Sequence, residues 1–144
     1  MNNMNQLDFS ALSEITTGTA QEHGFELRSP FCERHGSWEI VFHKADGGLH
    51  RFVTLALSPR YTAHELRWLV ELYALAQDER YSQREQNASF LIDGSEFQSW
   101  TQRETFREIF RNVLHAAMDL NPVDWRRDVV FAPRPEIASA GAIG

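Results

Sequence analysis

The sequence predicts an α+β fold of two layers: a three-stranded antiparallel meander, with one or two short strands added, packed against helices in the order α-β-β-β-α-β-α-(β). Three observations predict it. An Asp46-Gly47 dipeptide separates two β-rich runs, Thr-x-x-Glu pairs at 62–65 and 101–104 each open an apolar run, and one apolar run after another fits a single core. The 144-residue length matches one domain, here expected over residues 1–132, with residues 133–144 as a loose tail.

The elements follow in order. Asp8 is placed to cap a first helix that carries Phe9, Leu12 and Ile15 and stops at Gly24, although Thr16, Thr17, Gly18 and Thr19 weaken its second half. Phe25, Leu27 and Phe31 then alternate with polar residues. Pro30 marks this run as an edge strand, closed by a turn at Glu33-Arg34-His35-Gly36. In the next hairpin, with Asp46 and Gly47 as loop residues, Lys44 faces Leu49, His43 faces His50, Val41 faces Phe52, Ile40 faces Val53 and Trp38 faces Leu55. Trp38, Ile40, Val53, Leu55 and Leu57 thereby share the core face, with Phe42 and Arg51 at its margin.

Thr62 and Glu65 read as a capping box, with Tyr61 and Leu66 as a hydrophobic staple, so a second helix is expected from this point. It would carry two overlapping apolar stripes, Leu66, Leu69, Val70 and Tyr73 beside Trp68, Leu72 and Leu75, and so be buried on two sides. The polar run Asp78–Ala88 is expected to be exposed, as a frayed helix end or a loop, before a short strand over Ser89–Ile92. Thr101 and Glu104 open a third helix with Phe106, Ile109, Phe110, Val113, Leu114 and Met118 at helical spacing, ending at Asn121-Pro122. Asp128–Ala132 is a last candidate strand.

Charge and cysteine usage narrow the function. The formal charge of -6 opposes phosphate backbones and anionic lipid, which disfavours nucleic acid and membrane surfaces as partners and favours a basic protein. Cys32 is the only cysteine, so no internal disulfide forms and a reducing, cytoplasmic compartment is expected. The first ten residues carry neither a basic region nor an apolar run, so no secretory signal is read there.

Candidate chemistry is sparse. Cys32 and His35 stand in a C-x2-H spacing, but His43 and His50 belong to the far tip of the hairpin, on the order of 20 Å away at ~3.3 Å per residue, so the four do not converge on a metal. Facing histidines would instead repel when protonated. No nucleophile elbow and no phosphate-binding glycine loop occurs, so no catalytic residue, metal or cofactor is assigned. Arg103, Arg107 and Arg111 form a helical stripe, but Glu104 and Glu108 interleave with it.

What remains is an aromatic and apolar surplus. Trp68, Leu72, Leu75, Tyr81, Trp100 and Trp125, together with Val41 and Phe52 on the second face of the meander, are the candidate partner-binding residues. The expectation is a non-catalytic protein-binding domain, in its most concrete form a small acidic immunity or inhibitor protein that neutralises a basic partner such as a toxin. The order of elements also resembles that of the small acidic dimeric chaperones of bacterial secretion systems, and the resemblance implies a homodimer that binds a client protein. Its first five elements share their order with double-stranded RNA-binding domains, whose function the acidic charge removes. A small enzyme or metal protein built on Cys32 and the histidines is the third reading.

Overall fold

A computed structural model describes residues 9–122, and the candidate strand at Asp128–Ala132, Trp125 and the 133–144 tail lie outside the described residues. The elements are α1 (Phe9–Glu22), β1 (Glu26–Arg34), β2 (Ser37–Asp46), β3 (Leu49–Tyr61), β4 (Leu66–Gln77), β5 (Ser82–Asp93), the single turn α2 (Phe97–Trp100) and α3 (Glu104–Asp119). The five strands form one antiparallel sheet in the order β1-β2-β3-β4-β5. The class is α+β, as the sequence predicts, but the meander has five strands, and two of the predicted intermediate elements change.

The expected second helix is the strand β4. Its residues alternate without a break: Trp68, Val70, Leu72, Ala74 and Ala76 are buried, while Leu69, Glu71, Tyr73 and Leu75 are only partly covered. Apolar residues on both faces of a central strand mimic overlapping helical stripes, so spacing alone could not separate the two, and twelve paired positions with β3 and eleven with β5 override the helix propensity of Leu, Glu and Ala. Thr62 and Glu65 do not cap a helix. They close the β3–β4 turn, where the Thr62 amide donates to the Glu65 carbonyl at 2.9 Å. The polar run after Asp78 is the turn into β5 and its first half, and the short strand expected at Ser89–Ile92 is the end of that same twelve-residue strand. Asp78 organises the turn by accepting the amides of Arg80 and Tyr81 at 2.8 and 2.7 Å, which holds its carboxyl below the usual range.

The β2–β3 hairpin is present in a register two residues from the expected one. Gly47 and Gly48 are the loop residues, so Asp46 pairs with Leu49, His43 with Phe52 and Ile40 with Leu55. Gly47, at φ +66, takes the left-handed conformation that the turn requires. A shift of two preserves side-chain parity, and the expected core face survives: Ile40, Val53, Leu55 and Leu57 are buried. Phe42 is buried with them, and Trp38 packs against the same core.

Both long helices cover that face. α1 persists through its threonine-rich half because Thr16 and Thr19, both buried, donate their hydroxyls back to the Leu12 and Ile15 carbonyls at 2.9 Å. It ends at Gly24, φ +82, where the Phe25 amide reaches the Ala20 carbonyl. α3 buries Phe106, Phe110, Val113, Leu114 and Ala117. The Thr101–Glu104 capping box is not formed, because Thr101 donates to the Gln98 carbonyl in the short α2 turn and Arg103 stands at the N-cap.

Arg51 locks the far end of α3. Its guanidinium, buried among apolar neighbours, donates to the carbonyls of Ala117 at 2.6 Å and Leu120 at 2.7 Å, and Nε reaches Asp46 at 3.3 Å. A cation at a helix C-terminus satisfies carbonyls the helix cannot. At the opposite end, Phe9 stacks on Phe31 and touches Trp38 and Trp68, and Trp68 stacks on Phe97. The indole N–H groups of Trp38 and Trp68 are buried there without an acceptor among the described residues.

Candidate functional site

With both long helices on one side, the other face of the sheet has no layer over it among the described residues. Cross-strand pairing arranges its side chains in rows from β1 to β5. One row runs Arg34, Ser37, Ser58, Leu69, Leu91. The next runs Cys32, Glu39, Ala56, Glu71, Ser89, followed by Ser29, Val41, Thr54, Tyr73, Gln86 and then Glu26, His43, Phe52, Leu75, Arg84. Each row holds an apolar residue near its middle or at its β4–β5 end. Leu91 is the most open of the large ones, at 55% exposed.

The polar groups on this face hold one another. Gln86 Nε2 donates to Glu71 Oε2 at 3.2 Å, and the Arg84 guanidinium lies 4.2 Å from the centre of the Tyr73 ring. Burial and the adjacent Glu71 carboxylate push the Tyr73 phenol above its ordinary pKa. At the hairpin end, His43 Nε2 and His50 Nδ1 are 2.9 Å apart with their rings nearly parallel, and His43 also packs on Phe52. The two histidines are diagonal neighbours, His50 being opposite Ala45, so the expected encounter occurs in a different register. Desolvation, then the charge of His50, then that of Arg28, lowers the His43 pKa against an opposing effect of Glu26.

The charge of this face differs from that of the chain. The carboxylates of Glu26, Glu39, Glu71 and Asp93 are matched by the guanidiniums of Arg28, Arg34, Arg60, Arg67 and Arg84. The acidic excess therefore lies on the helices, turns and edges, in residues such as Glu14, Glu22, Asp78, Glu79, Glu96 and Glu108.

The partner-binding candidates divide accordingly. Val41, Phe52 and Leu75 come together on the open face. Trp68 and Leu72 are wholly buried in the core and have no surface to offer a partner. Tyr81 closes the β4–β5 turn, and Trp100 packs between Phe90 and Phe106 on the helical side. Leu69, Tyr73 and Leu91 join the open face without having been singled out by sequence as partner residues; reading 66–77 with a period of two would have found the first two.

Two depressions flank these surfaces. One, of about 210 Å³, lies on the open face among Arg28, Ser29, Cys32, Arg34, Glu39, Val41 and Phe52. The other, about 340 Å³, lies between β5 and α3, floored by Ala88, Phe90, Ile109 and Val113 with Asn87 and Asn112 at its rim. Cys32 is exposed, and its sulfur approaches the Glu33 carbonyl at 3.9 Å. No group of three or more His, Cys, Asp or Glu converges on a cation site among the described residues. The Arg103–Arg107–Arg111 stripe is interrupted by Glu104, which pairs with both Arg107 and Arg111. No helix among the described residues is long and apolar enough to cross a membrane.

None of the family models, curated proteins or solved structures compared with this chain matches it.

Proposed function

We propose that this chain is a non-catalytic protein-binding domain that presents the open face of its sheet to another protein chain. The observation that carries the reading is the contrast between faces: partly exposed Val41, Phe52, Leu69, Tyr73, Leu75 and Leu91 are gathered on one side of a sheet whose other side carries both long helices. Apolar residues gathered this way and rimmed by charge are the usual composition of an association surface. In its specific form, the partner is a basic protein, such as a toxin, that the domain neutralises as an immunity protein or inhibitor does. The acidic helical side and turns supply long-range attraction, and the open face supplies contact.

Affinity capture from the source cells, in parallel with wild type and Leu91→Glu, tests this. A basic protein retained by wild type, lost from Leu91→Glu and weakened by salt is the expected result. A captured protein that is neutral or acidic, held equally by the variant and indifferent to salt, would contradict it.

A second reading, a homodimeric chaperone of the secretion type, draws support from the near balance of charge on the open face, which suits a copy of the same chain.

A further inference from the structure

Resting on the second reading, in which the open face meets a copy of the same chain in place of a basic protein, we infer that its occupant is a second copy of this chain, packed sheet to sheet about a twofold axis. Electrostatics selects this occupant. A chain of formal charge -6 repels its copies through most of its surface, and the open face is where that repulsion is weakest, because its strands carry four carboxylates and five guanidiniums, one of which, Arg67, is paired with Glu65 of the β3–β4 turn at 2.8 Å.

The order of charges along the strands is also suited to a copy. The row that carries Glu39 and Glu71 is flanked by the row of Arg34 on one side and, two rows on, by the row of Glu26, His43 and Arg84. A copy turned about a twofold axis that runs across the strands along the row of Val41 and Tyr73 lays the row of Glu39 and Glu71 over the mixed row of Glu26, His43 and Arg84 rather than over its own carboxylates, twice by symmetry. Between them the flat centre of the face, Ala56 and Thr54 on β3, lets two sheets approach.

The size agrees. Five strands about 4.8 Å apart, with rows spread over about ten residues at ~3.3 Å each, make a face on the order of 800 Å². That is about what each partner contributes to a standard stable interface. In this arrangement the acidic helical layers point outward from the pair and remain free for a basic protein.

Sedimentation equilibrium of the full chain tests the inference, with far-UV circular dichroism to verify folding. Wild type is expected at about twice the 16.6 kDa chain mass at tens of micromolar. Leu91→Glu and Leu69→Glu are expected at the single-chain mass with unchanged dichroism, while Glu108→Lys on α3 stays dimeric. A wild type that remains monomeric to millimolar concentration overturns the inference, as does a dimer unaffected by both leucine variants. A monomer that still captures a partner through the open face would overturn only the dimer, and a dimer that captures nothing would count only against the neutralising function.

Discussion

The two faces of this sheet are built from the same strands by the same alternation, yet they do different work. On the helical side, β4 contributes Trp68, Val70, Leu72, Ala74 and Ala76, all without exposed surface, and α3 seals them with Phe106 and Phe110. On the other side, the same strand contributes Leu69, Glu71, Tyr73 and Leu75, each half-covered by its own neighbours and, among the described residues, by no second layer. The contrast teaches that stability and association are separable here, because consecutive residues of one strand belong to one or the other.

The largest effect expected from breaking that contrast is on the covered face. Phe110→Ala removes a ring that meets Phe42 and Phe106 and should cost about 3–5 kcal/mol in urea unfolding, whereas Leu91→Ala should stay within about 0.5 kcal/mol. Next comes the polar lock of the same face. Arg51→Ala deprives the Ala117 and Leu120 carbonyls of their donor and should cost about 2–4 kcal/mol, with faster hydrogen exchange at the last turn of α3 as its signature.

The junction between β4 and the helices gives a smaller test. A Cβ at Gly94 would fall 2.8 Å from the Leu66 carbonyl oxygen, which also accepts the Gly94 amide, so Gly94→Ala must displace backbone. A loss of about 1–3 kcal/mol in thermal or urea unfolding is expected.

The smallest effect belongs to the open face and to pH. The His43 pKa is lowered in the folded chain, so the unfolded chain binds its proton more readily. Its contribution to stability is then full above the ordinary histidine value of about 6.5 and lost as pH falls through the lower folded value. The melting temperature of wild type should therefore decline between pH 7 and 5 more than that of His50→Gln, which lacks the neighbouring imidazolium. Parallel curves for the two proteins would refute the coupling.

How much of this was legible in the sequence depends on which local rule faced a competitor. The hairpin turn at Asp46-Gly47-Gly48 named its place, and because the register moved by two rather than one, the inward set Ile40, Phe42, Val53 and Leu55 came out on the right side. α3 was legible because its apolar residues keep one period with polar residues between them. β4 was not, since Thr62-x-x-Glu65 imitates a cap and Leu69, Tyr73 and Leu75 fill positions that a solvated strand would leave polar. That same surplus separates the open face from an ordinary wet sheet surface. Of the site, Val41, Phe52 and Leu75 were found as apolar remainders, and Leu69, Tyr73 and Leu91 required the β4–β5 pairing that the helical reading had removed.

Oxidative side-chain footprinting over a range of protein concentration, and with any captured partner added, tests most directly whether the two faces divide in this way. Phe110 and Trp68 should be protected throughout, while Phe52, Leu69, Tyr73 and Leu91 should be labelled in dilute protein and become protected as the chain associates. Equal labelling of the open-face residues under all conditions, with association protecting the helical side instead, would contradict the account.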